Sequence, residues 1–383
     1  MNKRKTILLV TRNFPPLIGG MERLLSHVYQ ELMQSFDVHL IGPEGASDFT
    51  NSSSIVSQCS LYPTFWFLIQ CQCKALRLAQ RLRPDLVIAG SGVTAGAAYM
   101  AGRAVGAPVA CFLHGLDLVV KSRLYHSLFI PVIRRCDFFI ANSRNTVKLA
   151  LEAGIKNEAI RILYPAVKLM SCDAAQNFHD IAGTMGKRIL LSVGRLTARK
   201  GLVQFVDNCL PKIVAAYPDV VFVIIGGEAN QALHQKHSSG IKKAITLEAH
   251  KRGLEGHIRF LGHVNDSILK AAYLESNLFV FPVLDLPGDI EGFGIVALEA
   301  ASYGLPTVSF ASGGVPDAVA HNVSGYLVRP GDYRHFTKTI LSHLEQKNIV
   351  MRNNCAVFAQ KFTWSRFGEK LRKICYDFAL INC

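Results

Sequence analysis

Long apolar runs, paired cysteines and dense charge are all scarce in this sequence. No uncharged apolar run reaches the roughly 18 residues that a membrane-spanning helix needs. The apolar stretch in "MNKRKTILLVTRNFPP" is cut off by Arg12, so it reads as a first buried strand and not as a secretory leader. Ten cysteines are scattered along the chain. Only Cys71 and Cys73 lie close together, and no second pair completes a zinc site. They read as reduced, mostly buried thiols that behave as small hydrophobes. Charged residues are only 18% of the chain and hydrophobic residues 50%, which argues against the disordered and fibrous classes. With 383 residues, that leaves enough apolar material for two cores. Acids are the scarcer sign: 28 Asp and Glu against 42 Lys and Arg give a formal charge of +14. Such a surplus favours polyanions, phosphorylated ligands or an anionic membrane surface, without choosing among them. A cytoplasmic protein is expected, touching a membrane from that side if at all.

Two nucleotide-binding fingerprints are missing as well. "FPPLIGGMER" follows the first strand, and Gly19 and Gly20 let backbone approach a ligand, but no Lys-Ser/Thr pair follows to make a P-loop. "DLVIAGSGVTAG" places Gly90, Gly92 and Gly96 after a strand, yet the GxGxxG spacing fails. No acid closes the next strand, where ribose recognition in a dinucleotide fold requires one.

What the chain does contain is a rhythm. "TILLV", "DVHLIG", "DLVIAG", "PVACFLHG" and "FFIANS" alternate with helical stretches in the first half, and "RILLSVGR", "VVFVIIGG", "IRFLGHV", "LFVFPV" and "PTVSFA" repeat the pattern in the second. Short continuous apolar runs suit strands covered on both faces, and their alternation with helices predicts βαβ units. The expected fold is α/β: two facing Rossmann-like doubly wound domains with a cleft between them. The expected boundaries are 1–166, a linker over 167–187 that has neither period, and a second domain over 188–362. A last amphipathic helix is expected over 363–383, with Trp364, Phe367, Leu371, Ile374 and Phe378 on one face.

Four stretches have residues suited to chemistry. In "SVGRLTARKGL", Arg195 and Lys200 flank a strand end and a helix start, where fixed cations and free amides bind phosphate. A merely basic loop reads the same way. "GGMER" adds Gly19, Gly20 and Glu22 at another helix start, or a flexible turn. "CFLHGLDL" sets His114 and Asp117 just past a buried strand, where a histidine either meets a ligand or is satisfied structurally. "DIEGFGIVALEAASYGLP" sets Glu291 in a loop before a helix and Glu299 inside it, bracketing Gly292, Phe293, Gly294 and Ile295. Two carboxylates that grip hydroxyls suit a polyol ligand; helix capping by Glu291 is the plainer alternative. "FASGGVPDAV" offers Gly313 and Gly314 as further amides near phosphate.

In order, "GGMER", "HGLD", "ANSRNT", "VGRLTARKG", "FVIIGG", "IRFLGHV", "EGFGIVALEA", "GLPTVSFASGGVPD" and "NVSGYLVRPGD" run almost the length of the chain. Together they resemble the retaining GT-B glycosyltransferases of family four (glycosyl transferases group 1). The resemblance implies a nucleotide diphosphate sugar, UDP- or GDP-linked, as co-substrate, with no cofactor and no metal. It implies that Glu299 holds the ribose hydroxyls and Glu291 the donor sugar. The amides of Phe293 and Gly294, with Gly292 and Ile295 beside them, orient that sugar. Arg195 and Lys200 bind the diphosphate, Gly20 lies near it and His114 lies near the transferred sugar. Gly19, Glu22 and Asp117 fall on the acceptor side. In such folds the last helix crosses back to the first domain. Two departures stand out: "YPAVKL" replaces the Asn-Gly-Val-Asp run of many relatives, and "PVLDLPGDIEGFG" carries an extended loop before the glutamate.

The expected reaction moves a hexose or N-acetylhexosamine to a saccharide or polyprenyl-diphosphate-linked acceptor in O-antigen, capsule or lipopolysaccharide assembly. Cations would stand where other transferases use a metal, and no DxD falls between a strand end and a loop in the expected setting. "YPTFWFLIQCQCKALRLAQRLRPD" joins Phe65, Trp66 and Phe67 to Lys74, Arg77, Arg81 and Arg83, which suits either an anionic membrane surface or an ordinary helix with a basic outer face. Alternatives are a sugar-nucleotide epimerase or a phosphorylase of the same fold, or a polyanion-binding protein without turnover. Nucleic acid is not expected, because no basic stripe with base-stacking aromatics is present.

Overall fold

The computed structural model describes residues 4–169, 177–228, 240–346 and 349–380. Residues 170–176 of the expected linker lie outside the described residues. Among the described residues, thirteen strands form two all-parallel sheets. The first contains β1 (Thr6–Val10), β2 (Asp37–Pro43), β3 (Val56–Cys59), β4 (Leu86–Ala89), β5 (Val109–Leu113), β6 (Phe138–Ala141) and β7 (Ile160–Ile162), in the order β3-β2-β1-β4-β5-β6-β7. The second contains β8 (Arg188–Val193), β9 (Val220–Ile225), β10 (Ile258–Gly262), β11 (Leu278–Phe281), β12 (Thr307–Phe310) and β13 (Gly325–Val328), in the order β10-β9-β8-β11-β12-β13. Both are doubly wound. The strand order reverses between β1 and β4 in one sheet and between β8 and β11 in the other, and ligands bind such sheets at the carboxyl ends of those strands.

The ten expected strand runs all form strands. Three strands not expected from the sequence, β3, β7 and β13, lie at sheet edges. Edge strands are covered less completely, so they tolerate polar residues such as Ser57, Gln58 and Arg161 and give no continuous apolar run.

The chain divides into two compact units, Met1–Ala166 with Trp364–Cys383, and Val167–Thr363. Within the first, the pleat sends alternate residues to opposite faces. Leu8 and Val10 pack with Phe67 and Ala75 of helix Thr64–Leu82. Ile7 and Leu9 pack with Leu25, Val28 and Leu32 of helix Gly20–Met33 and with Phe367, Leu371 and Cys375 of the last helix, Trp364–Leu380. Phe67 is therefore core and no part of an exposed aromatic surface; the helical phase turns only its neighbours Phe65 and Trp66 outward.

The last helix docks through specific contacts. Trp364 stacks on His27 at 3.7 Å between ring centroids, and Phe378 stacks on Phe138 at 3.7 Å. Arg372 Nη1 donates to Glu31 Oε2 at 2.6 Å. Gly368 makes room for that pair, since a Cβ there would overlap Glu31 Oε2. In the second unit Leu190, Phe222, Ile224 and Val280 pack with Phe205 and Phe336 on one face, and Ile189, Leu191, Val223 and Phe279 with Ala297 and Ala300 on the other. The described cysteines are free thiols, buried except for Cys73.

Candidate functional site

In the second unit the site is built on the turn after β8. Gly194 adopts φ 134, which side-chain-bearing residues rarely do, and swings the chain away from Val193. Residues Ala198–Lys200 form one short helical turn, and Gly201 opens helix Leu202–Asn208. A side chain at Gly201 would run into the Pro282 carbonyl. The turn carries Lys200 inward. Its Nζ donates to Glu291 Oε2 at 2.7 Å and lies 4.5 Å from the centroid of the Phe281 ring. Arg199 joins the same carboxylate, with Nε to Glu291 Oε2 at 3.4 Å, and donates through Nη1 to Asp289 Oδ1 at 3.0 Å.

The side chains of Arg199, Lys200 and Glu291 are only 14%, 10% and 13% exposed, so their mutual charge is poorly screened. Burial by itself raises the pKa of Glu291, but Lys200 and Arg199, through charge and hydrogen bonds, outweigh it and hold the carboxyl at about 2. Burial also lowers Lys200, against the pull of Glu291; the positive fields of Arg199 and Arg195 push the same way. In Arg199 the two carboxylates overcome the effect of burial and raise the guanidinium. Arg195 is half-buried near this cluster and has no ion pair among the described residues.

Glu299 sits one helix away. Gly294, at φ 89, starts helix Ile295–Ser302 without a side-chain cap, and Phe293 before it is buried. Glu299 Oε2 accepts a hydrogen bond at 3.2 Å from Tyr273, whose buried ring stacks on Tyr303 at 5.5 Å. The glycine pair after β12 behaves differently from its sequence expectation. The Gly314 amide donates to the Glu291 carbonyl at 2.8 Å, and a Cβ on Gly314 would overlap the Gly292 carbonyl. Gly313 and Gly314 thus pack backbone on backbone to hold the Glu291 loop, and the amide of Gly314 is already used.

In the first unit the carboxyl ends of β1, β4 and β5 gather a different set. Gly19 is extended, and Gly20 starts its helix without a side-chain cap. Glu22 is buried, and its Oε1 accepts from Asn13 Nδ2 at 2.8 Å while Oε2 is buried without a hydrogen-bond partner. A Cβ at Gly19 would overlap Glu22 Oε2, so a side chain there would require the Glu22 carboxylate to shift. His114 Nε2 lies 2.8 Å from the Gly90 carbonyl. A carbonyl only accepts, so Nε2 carries the hydrogen, and the buried, unpartnered Nδ1 is left as an acceptor. Asp117 Oδ2 accepts from the His114 amide at 3.0 Å, which ties the turn after β5 together. The Tyr125 hydroxyl is buried without a partner, and burial, then Asp117, raises its pKa.

Sequence reasoning missed Arg199, Asp289 and Tyr273. Arg199 stood inside a quoted motif, but only the local turn shows which cations face the carboxylate. Tyr273 is 26 residues before Glu299 and gave no local signal.

Two doubly wound parallel sheets with these strand orders make the GT-B fold. An Anabaena protein, HepE, solved in complex with UDP-glucose, matches with a TM-score of 0.77 at 20% identity, over 97% of this chain and 99% of that one. The profile described as Glycosyl transferases group 1 matches residues 175–362, and that of Glycosyltransferase Family 4 matches residues 18–170. The chain belongs to glycosyltransferase family 4. An uncharacterized glycosyltransferase of Methanocaldococcus jannaschii is 26% identical over 52% of this chain and 48% of its own length. A GDP-mannose-dependent alpha-(1-6)-phosphatidylinositol monomannoside mannosyltransferase of Mycolicibacterium smegmatis is 24% identical over 87% of this chain and 88% of its own. The chain thus spans about half of the first relative and most of the second.

Proposed function

We propose that this protein is a retaining, metal-independent glycosyltransferase that moves a hexose or N-acetylhexosamine from a UDP- or GDP-linked donor to a glycan or lipid-linked acceptor in cell-surface polysaccharide assembly. The donor classes are those named for its relatives, UDP-glucose and GDP-mannose. The observation that carries the reading is the buried Lys200–Glu291–Arg199 cluster beside Arg195, at the carboxyl end of β8. Lys200 and Arg195 neutralise the departing diphosphate, and Glu299 holds the ribose hydroxyls. Glu291, ionised and pinned by two cations, holds the donor sugar through a hydroxyl. His114 accepts a hydrogen bond at Nδ1 from the transferred sugar.

In the chemical step the bond from the anomeric carbon to the diphosphate oxygen breaks while the acceptor oxygen bonds to that carbon on the same face. The acceptor proton passes to the departing phosphate. Fixed cations suit this step because negative charge grows on the leaving group, and losing one such group costs roughly 2.7–4 kcal/mol of transition-state stabilisation by analogy with an oxyanion donor. Glu291 is a poor nucleophile in this scheme, since Lys200 and Arg199 both hold its Oε2 and the carboxylate is engaged with a sugar hydroxyl.

Phe65, Trp66 and Ile69 are exposed on helix Thr64–Leu82, with Arg77 and Arg81 exposed further along it. We assign this stripe to the anionic cytoplasmic face of a membrane, aromatics inserted and guanidiniums at the headgroups. No helix among the described residues is long and apolar enough to cross a membrane. Sedimentation with anionic liposomes at low salt tests the assignment, and a protein that stays in the supernatant refutes it.

A panel of nucleotide sugars, scored by nucleotide release and thermal shift with and without EDTA, tests the whole reading. Acceptor-dependent release that survives EDTA supports it. Donor consumption without an acceptor points instead to an epimerase, and a chain that neither turns over nor is stabilised by any nucleotide sugar refutes transfer.

A further inference from the structure

The mechanism above leaves one buried charge unused. Arg12 lies two residues past the carboxyl end of β1, where the strand order of the first sheet reverses. It is 6% exposed, and its Nε is buried without a hydrogen-bond partner. Among the described residues it makes no ion pair, and its Cζ lies over the ring of Tyr62, 6.0 Å from the centroid. Burying a guanidinium without a counter-charge costs several kcal/mol in order of magnitude, and a face-on aromatic returns only about 0.5–2 of that. The fold tolerates the cost at a place where doubly wound sheets take ligands. The nearest acid in sequence, Glu22, does not discharge it: that carboxylate holds Asn13, and its other oxygen is unpartnered.

We infer that Arg12 and Tyr62 form a subsite for a phosphoryl group on the acceptor, with Glu22 Oε2 available to a neighbouring hydroxyl. A planar five-donor guanidinium matches phosphate oxygens in pairs, and a carboxylate oxygen can only accept, so the arrangement selects a phosphorylated polyol or saccharide over a neutral glycan. The inference rests on the transferase reading. It adds the charge of the acceptor, which the donor site does not determine.

The test uses the full chain with the donor site filled by saturating nucleoside diphosphate, so that Arg195 and Lys200 are occupied. Calorimetry with inorganic pyrophosphate should then give binding that Arg12→Gln weakens by about tenfold or more, whereas Arg12→Lys retains part of it. Nucleoside diphosphate affinity should stay within about twofold in both variants. Vesicles containing phosphatidic acid, compared with neutral vesicles, form a second arm. An Arg12-dependent response there but not to pyrophosphate assigns the phosphoryl group to a lipid headgroup, and a response to pyrophosphate assigns it to the acceptor's own phosphate. Melting temperature serves as the folding control: removing an unpaired buried charge should leave Arg12→Gln at least as stable as the parent. A marked loss of stability, or equal responses of parent and Arg12→Gln in both arms, overturns the inference. If the parent fails to bind nucleoside diphosphate at all, the transferase reading has failed instead.

Discussion

The two sheets share one winding and differ at the edge where their loops gather. In the second unit the charges are spent on one another: Lys200 and Arg199 on Glu291, and Arg199 on Asp289. In the first, Arg12 Nε, Glu22 Oε2, Ser91 Oγ, His114 Nδ1 and Tyr125 OH are buried without partners, an arginine and a carboxylate among them; in the second the atoms so left are the hydroxyls of Thr197, Thr307 and Ser312 and His343 Nδ1. A mutually paired cluster is rigid and preorganised, which suits a step in which charge develops at one fixed place. Buried groups left unpaired cost stability and are retained where something else completes them. One scaffold therefore supports a stiff electrostatic centre and a receptive one.

The sharpest way to break the contrast is Glu291→Gln, which leaves Lys200 buried beside two guanidiniums without its own counter-charge, Asp289 being held by Arg199. The expected loss is about 3–5 kcal/mol, read by denaturant melts, and a change under about 1 kcal/mol would mean the pair is not effectively buried. Gly314→Ala comes next, because a methyl there pushes against the Gly292 carbonyl and displaces the Glu291 loop. About 1–3 kcal/mol should be lost, with turnover falling alongside, and wild-type melting would show that the loops are not in contact.

Arg199→Gln leaves the Lys200–Glu291 bond intact but frees Asp289 and loosens Glu291. It should cost about 1.5–3 kcal/mol. If Arg199 positions Glu291, kcat should drop with donor KM little changed; the same split is expected for Glu291→Ala, while Glu299→Ala should raise donor KM severely. Unchanged kinetics in both glutamate variants would refute their assignment.

Acid separates the two units by a smaller effect. Burial, with Arg23 adding to it, holds His27 neutral with a pKa of about 4 in the fold against 6.5 otherwise. The unfolded chain takes up that proton first, so the first unit loses stability as pH falls from about 6.5 to about 4. Glu291 runs the other way in chemistry and lower in pH: its contribution is complete above about 4.5 and is lost as pH falls toward about 2. Both tryptophans, Trp66 and Trp364, lie in the first unit, and Trp364 stacks on His27. Tryptophan emission should therefore shift at higher pH than the global circular dichroism change. Only about 1 kcal/mol is expected, because the His27 ring is half-exposed and a protonated imidazole over Trp364 regains some attraction. His27→Gln should remove the early phase, and coincident transitions in the parent would erase the predicted difference.

The interior of each sheet was legible because a strand buried on both faces must be apolar throughout, as "TILLV" and "VVFVII" are. The edge strand "VSQC" carried no such constraint. At the site, Lys200 and Glu291 stood out in the sequence only as candidates, which a basic loop and a helix cap explained as well, and the partnership of Arg199 with Asp289 spans 90 residues and left no local signal. Gly313 and Gly314 read as free amides because a Gly-Gly pair means only permissive backbone. Which neighbour then comes close is a tertiary matter.

By itself the sequence determined the winding of both sheets and the residue types at their ligand edges, because periodicity and glycine placement act over a few residues. Only the tertiary structure decided which charges neutralise one another and which stay unpaired, because electrostatic pairing depends on distance in space and on the exclusion of water. The same residues, Arg12 and Arg199, are alike as letters. Packing alone makes one a buried cation without a counter-charge and the other the clasp on Glu291.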